Sequence, residues 1–147
     1  MEKEELKVKI VDQCLVPPCL PTPGDILYLS NLDNQPATRL FFNTVLVYEN
    51  MHCEKNLAYP AKTVREALSK VLVYYYPLAG RLRKKEDGTL QMECTGEGVL
   101  FVEAMVNNTL SALGDLDYLK PSFKQLLFTF PPETDIEEIH PMAIQVN

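Results

Sequence analysis

Leu6, Val8 and Ile10 alternate with Lys7 and Lys9, the period-two pattern of a strand with one face in solvent. Pro17, Pro18, Pro21 and Pro23 follow and predict an extended connector, because each fixes φ and removes a backbone donor. Leu27-Tyr28-Leu29 is a short apolar segment that runs into the turn formers Ser30 to Asp33. Leu40 to Tyr48 is almost continuously aromatic, aliphatic and β-branched, which predicts a strand buried on both faces. Val64, Ala67, Leu68, Val71, Leu72 and Tyr75 recur at i, i+3, i+4, i+7, i+8 and i+11, one stripe at 3.6 residues per turn. A helix over 63–76 is therefore expected, with Thr63 and Glu66 at capping-box spacing and Pro77 as its stop.

Beyond Gly80 the period returns to two. Arg81-Leu82-Arg83 and Leu90 to Cys94 flank Lys85-Glu86-Asp87-Gly88, which predicts a hairpin with an Asp-Gly turn. Thr95-Gly96-Glu97-Gly98 predicts a second turn ahead of the strand Val99 to Val102. It lacks the Lys-Ser/Thr pair and following helix of a phosphate loop, so turn chemistry accounts for its glycines. Leu110 to Leu113 reads as a short helix, residues 114 to 139 as mixed loop, and Met142 to Val146 as the start of a further strand. The pattern is α/β, a mixed sheet with packed helices.

Composition narrows the function classes. The chain has 147 residues, 46% of them hydrophobic, enough for one domain that buries roughly 70% of its unfolded surface. A net charge of -6 leaves no basic face for nucleic acid or anionic lipid. The run Arg81 to Lys85 meets Glu86 and Asp87 at once and reads as a solvated hairpin end. Met1 to Glu5 is charged, with no apolar core of a secretory signal, and no run reaches the roughly 20 apolar residues of a bilayer span. Cys14, Cys19, Cys53 and Cys94 show no Cys-x-x-Cys spacing and read as reduced, mostly packing thiols in a cytoplasmic protein. His52-Cys53-Glu54 lacks a third and fourth ligand at useful spacing, so no metal is expected. His140 before Pro141 reads as a solvent-facing or locally bonded loop histidine.

Tyr75-Tyr76-Pro77-Leu78-Ala79-Gly80-Arg81 carries the sharpest signal. It resembles the Tyr-Tyr-Pro-Leu-Ala-Gly-Arg signature of BAHD acyltransferases, plant enzymes that move an acyl group from coenzyme A to an alcohol or amine. Other blocks match in the same order, among them Leu29 to Asn34, Phe42 to Tyr48, Glu93 to Gly98, Leu113 to Asp117 and Asp135 to Pro141. The set is most similar to the taxane O-acetyl- and O-benzoyltransferases. The resemblance implies a two-domain fold of the chloramphenicol-acetyltransferase type, with residues 1–147 as part of the first domain and the second domain absent from the chain. It implies acyl-coenzyme A as a cosubstrate with no bound cofactor, a small-molecule alcohol as acceptor, and a monomeric full-length enzyme.

The family's catalytic His-x-x-x-Asp-Gly motif is expected after Asn147, since Asn56 follows His52 by four and Ile144 follows His140 by four. The chain thus reads as an amino-terminal piece without its general base; the alternative is a non-catalytic truncated paralogue that binds a partner. Pro77, Gly80 and Arg81 form a structural motif, with the guanidinium expected to brace carboxylates or carbonyls. The resemblance also places Ser30, Asp33, Asn34 and Arg39 at the acceptor entrance, where a polar loop beside a buried strand suits hydroxyl recognition.

Overall fold

The computed structural model describes residues 6–48, 59–116 and 120–147. Alternation at the start of the chain becomes strand β1 (Val8–Val16), and β2 (Ile26–Tyr28) follows the proline connector. Helix α1 is Pro60–Val71. The hairpin strands are β3 (Arg81–Lys84) and β4 (Leu90–Glu93), then come β5 (Val99–Val106) and β6 (Ala143–Val146). Two three-stranded sheets result, one in the order β1-β5-β6 and one in the order β2-β4-β3. The first is mixed, β1 antiparallel and β6 parallel to β5; the second is antiparallel throughout.

β5 is the centre of the molecule. Val99 to Val102 are all buried, so both faces of the strand are covered. Cys14, Phe101 and Ile144 share one row across the first sheet. That face packs with Val16, Val99, Ala61, Leu68, Leu72 and Ala79 into the core. Full burial of a side chain like Phe101 stabilises by about 1.5–3 kcal/mol. The antiparallel pair β1–β5 sets Asp12 directly opposite Glu103, a like-charge pairing that destabilises a sheet. Arg65 on α1 offsets it, reaching Asp12 at 3.0 Å and Glu103 at 3.8 Å, with its guanidinium 5.1 Å over the Phe101 ring.

The helix differs from expectation in three ways. It begins at Pro60 as its first turn, with Tyr59 at the N-cap and no side-chain cap, so Thr63 and Glu66 form no capping box. It ends at Val71. Val73 and Tyr74 bond back three residues to Lys70 and Val71, and a 3-10 turn, Tyr76–Ala79, replaces the last helical turn. Pro77 acts upstream of itself, since it disfavours helical geometry at Tyr76 and its ring would clash with the carbonyl of Val73 four residues back. The buried face is also rotated. Ala61, Leu68 and Leu72 face the core with Arg65 between them, whereas Val64, Val71 and Tyr75 are 37%, 49% and 61% exposed.

Leu40 to Tyr48 is not a strand, contrary to expectation: residues 40–48 have no regular structure, and Phe42 is 89% exposed. A buried strand needs a ladder partner as well as apolar side chains, and neither sheet among the described residues provides one. β1 and β5 are longer than the apolar pattern suggests, because the Arg65 bridge allows the strands to run on through Asp12 and Glu103. Leu110–Leu113 forms a 3-10 turn rather than an α-helix. The Asp-Gly hairpin forms as expected, with Gly88 at φ +81°. Cys14, Cys19 and Cys94 are free thiols; Cys94 is buried and Cys19 exposed, so only some pack. His52-Cys53-Glu54 lies outside the described residues. No helix among the described residues is long and apolar enough to cross a membrane.

Candidate functional site

Two constellations contain the residues singled out above. The first is the loop after β2. Ser30 donates its hydroxyl to an Asp33 carboxylate oxygen at 2.7 Å and accepts the Asp33 backbone N–H at 3.2 Å. Asn34 donates its side-chain amide to the Leu29 and Ser30 carbonyls and accepts the Leu90 N–H at 2.5 Å. Arg39 donates to the Asn34 carbonyl and to the Gly88 carbonyl, both at 3.2 Å. The four residues therefore lie on one loop, which Asn34 and Arg39 seat on the β3–β4 hairpin. Ser30 and Asp33 are exposed, while Asn34 commits both ends of its side-chain amide to backbone and Arg39 commits one guanidinium nitrogen, Nη2.

The second constellation explains the Pro-Leu-Ala-Gly-Arg motif. Pro77 sits in the first turn of the 3-10 segment, whose end places the Ala79 carbonyl to accept the Gly98 N–H at 3.0 Å. Gly80 passes so close to the end of β4 that an added Cβ would lie 2.2 Å from the Glu93 carbonyl oxygen. Gly98 is tied to a different crossing: its φ is +120°, and a Cβ would lie 2.6 Å from the Val16 carbonyl oxygen. Between these two close approaches lies Arg81, 7% exposed. It donates to the Gly80 and Gly98 carbonyls at 2.7 and 3.3 Å and pairs with Glu97 at 2.8 Å. A buried guanidinium is tolerated when its fork is filled in this way. Arg81 thus ties the start of β3 to the turn that starts β5.

His140 joins this hub from the far end of the chain. Its ring faces the Gly98 backbone, which favours a proton on it, and stacks on Phe130 with centroids 6.1 Å apart. Phe130 in turn stacks on Phe41 at 5.5 Å. The histidine is half-buried, which corrects a solvent-facing reading. Glu97, Gly98 and Phe130 escaped sequence reasoning as parts of this hub. An acid between two glycines was the available signal for Glu97; nothing in the local pattern ties Phe130 to residue 140.

Burial, with a smaller contribution from Asp25, pushes the Cys94 thiol up, which disfavours the nucleophilic thiolate. Among the described residues no group of three or more His, Cys, Asp or Glu side chains could hold a metal ion.

A model of the Transferase family matches residues 6–147. The chain is 54% identical, over 97% of its length, to baccatin III:3-amino-3-phenylpropanoyltransferase of Taxus cuspidata, and covers 32% of that protein. It is 47% identical over its whole length to taxadien-5-alpha-ol O-acetyltransferase of Taxus cuspidata, covering 34% of it. To 2-alpha-hydroxytaxane 2-O-benzoyltransferase of the same species it is 50% identical, over 95% of the chain and 31% of that protein. The crystal structure of vinorine synthase superposes with a TM-score of 0.58 at 25% identity, over 95% of this chain and 34% of that one. The chain spans about a third of the length of these relatives.

Proposed function

The chain belongs to the Transferase family, the BAHD acyltransferases, and from that premise we propose that it is part of an enzyme that acylates a hydroxyl of a taxane-like diterpenoid alcohol. Acetyl- or benzoyl-coenzyme A is the donor, used as a cosubstrate. The observation that carries this reading is identity near 50%, across almost the whole chain, to relatives named as taxane acyltransferases. Residues 1–147 form most of the first of two domains, and the full-length enzyme is monomeric and cytoplasmic.

In this reaction a general-base histidine takes the proton of the acceptor hydroxyl as its oxygen attacks the thioester carbonyl. Hydrogen-bond donors hold the tetrahedral oxyanion, typically worth a few kcal/mol. Collapse expels coenzyme A thiolate, which takes the proton back. No covalent enzyme intermediate is required. Neither His52 nor His140 stands in a His-x-x-x-Asp sequence, so the base is a different histidine.

The loop that contains Ser30, Asp33, Asn34 and Arg39 contributes to the acceptor entrance in this reading. Its exposed Ser30 and Asp33 are the hydroxyl-recognising pair, and Asn34 and Arg39 hold the loop on the hairpin. The test uses a hybrid enzyme in which residues 6–147 replace the matching third of the taxadienol acetyltransferase. Ser30→Ala and Asp33→Ala are expected to change the ratio of kcat/KM between competing taxane alcohols by about tenfold, the size of one lost hydrogen bond to a charged group. KM for the acyl donor should stay within about twofold, since this reading places the loop on the acceptor side alone. An unchanged acceptor preference in both variants removes this loop from the site.

A further inference from the structure

His140 and Gly98 lie just ahead of the first residue pair of the parallel β5–β6 ladder, Leu100 with Ala143. Their contact is therefore the entry point of β6, the last strand of its sheet. Gly98 is itself immobilised, its N–H bonded to the Ala79 carbonyl and its own carbonyl held by Arg81. The opposite side of the imidazole rests on the Phe130 ring, nearly parallel at 19°. A neutral imidazole has one donor and one acceptor nitrogen. With Nε2 toward Gly98, the remaining nitrogen is Nδ1, which is buried and has no hydrogen-bond partner.

We propose that His140 is a pH-sensitive pin, which holds the entry of β6 against the start of β5 while its ring is neutral and releases it when the ring is protonated. Protonation puts an N–H at Nδ1, where no acceptor faces it, and adds a cation beside the buried Arg81 guanidinium. Two groups oppose this: the Gly98 carbonyl and the Glu97 carboxylate both favour the charged ring. Glu97 and Arg81 are paired at 2.8 Å, so their opposite effects on the ring partly cancel, with that of Arg81 the larger. Burial is the largest influence and Arg81 the next, and together they hold the His140 pKa below its ordinary value of 6.5. Above 6.5 the pinned and released forms are both neutral and pinning is at full strength. Below it the released form takes up a proton while the pinned form resists, so pinning weakens as the pH falls.

Amide hydrogen exchange in the full 147-residue chain tests this, read as protection factors so that intrinsic rates cancel. Between about pH 7.5 and about pH 5.5, protection at Ala143 to Val146 is expected to fall by up to about tenfold, the most that one proton taken up by the released form below its ordinary value of 6.5 can contribute. Protection in β1 should hold. His140→Phe keeps the ring stack without a titrating group and should make β6 protection independent of pH; it also retains His52 as an internal control. Three results would overturn the proposal. One is pH-independent protection of β6 in the natural chain, another an undiminished pH response in His140→Phe, and the third an equal loss in β1 and β6. If the phenylalanine variant does not fold, NMR titration of the natural chain decides: a His140 imidazole that titrates at or above its ordinary value ends the idea.

Discussion

Given acetyl- or benzoyl-coenzyme A and a taxane alcohol, the 147-residue polypeptide forms no ester above a heat-treated control. Loss of a general base removes about 10² to 10⁴ in rate, and neither histidine of this chain stands in the family's His-x-x-x-Asp-Gly motif. Positioning is lost as well. In the proposed two-domain reading donor and acceptor are held together in a channel between the domains, and proximity contributes on the order of several further kcal/mol. The exposed apolar side chains of the 40–48 segment and of Val71, Tyr74 and Tyr75 add a practical consequence, since patches of that kind promote association. Ester formation should therefore be followed by mass spectrometry on freshly purified, monodisperse protein. Turnover well above the control would place the base within these 147 residues and overturn the account of His52 and His140.

A large effect of a single methyl group is expected at Gly80. In Gly80→Ala the new Cβ meets Glu93 O at 2.2 Å, Glu93 C at 3.0 Å and Cys94 Cα at 3.1 Å. All three are backbone atoms, so no side chain can swing away to relieve the clash. Either the end of β4 moves or the Ala79–Arg81 bend does, and both carry the Arg81 fork with them. Overpacking of this kind costs about 3 kcal/mol, a large share of the roughly 5–15 kcal/mol that stabilises a whole domain. Gly24→Ala, with nothing within 4 Å of its added methyl, serves as the matched control. Urea midpoints should separate the two variants clearly; equal midpoints would show that the Gly80 approach is not tight.

These two cases also mark what a sequence can reveal. The Asp-Gly hairpin, the proline connector and the start of β6 were legible because each is determined by residues next to one another. The helix was legible as an element but not in its register. Its apolar stripe is wide enough to bury either flank, and the choice fell to Arg65, a charged residue that a hydrophobic pattern cannot select. Leu40 to Tyr48 misled for the reverse reason. Strand composition was present, but among the described residues no ladder partner was. Long-range contacts hid most completely. Arg81 reads as a brace from its motif, yet its partners are 16 and 17 residues away, and His140 comes to the same hub from the last strand's approach. In the loop of Ser30, Asp33, Asn34 and Arg39, turn-forming residues announced a turn, and their bonding shows how it is seated on the hairpin.

In the proposed function these 147 residues are a working part of an acyl-coenzyme A-dependent taxane acyltransferase. Its most direct test is ester formation by the hybrid in which residues 6–147 replace the matching third of the taxadienol acetyltransferase of Taxus cuspidata, assayed with acetyl-coenzyme A and taxadien-5-alpha-ol. Because the core, the Gly80–Arg81 hub and the hairpin-seated loop are all contained in the transferred segment, the account predicts acetyl ester at a kcat/KM within about a hundredfold of the parent enzyme, a loss of about 2.7 kcal/mol in transition-state stabilisation. A hybrid that folds with the parent's thermal stability and forms no ester with either acetyl- or benzoyl-coenzyme A would contradict it.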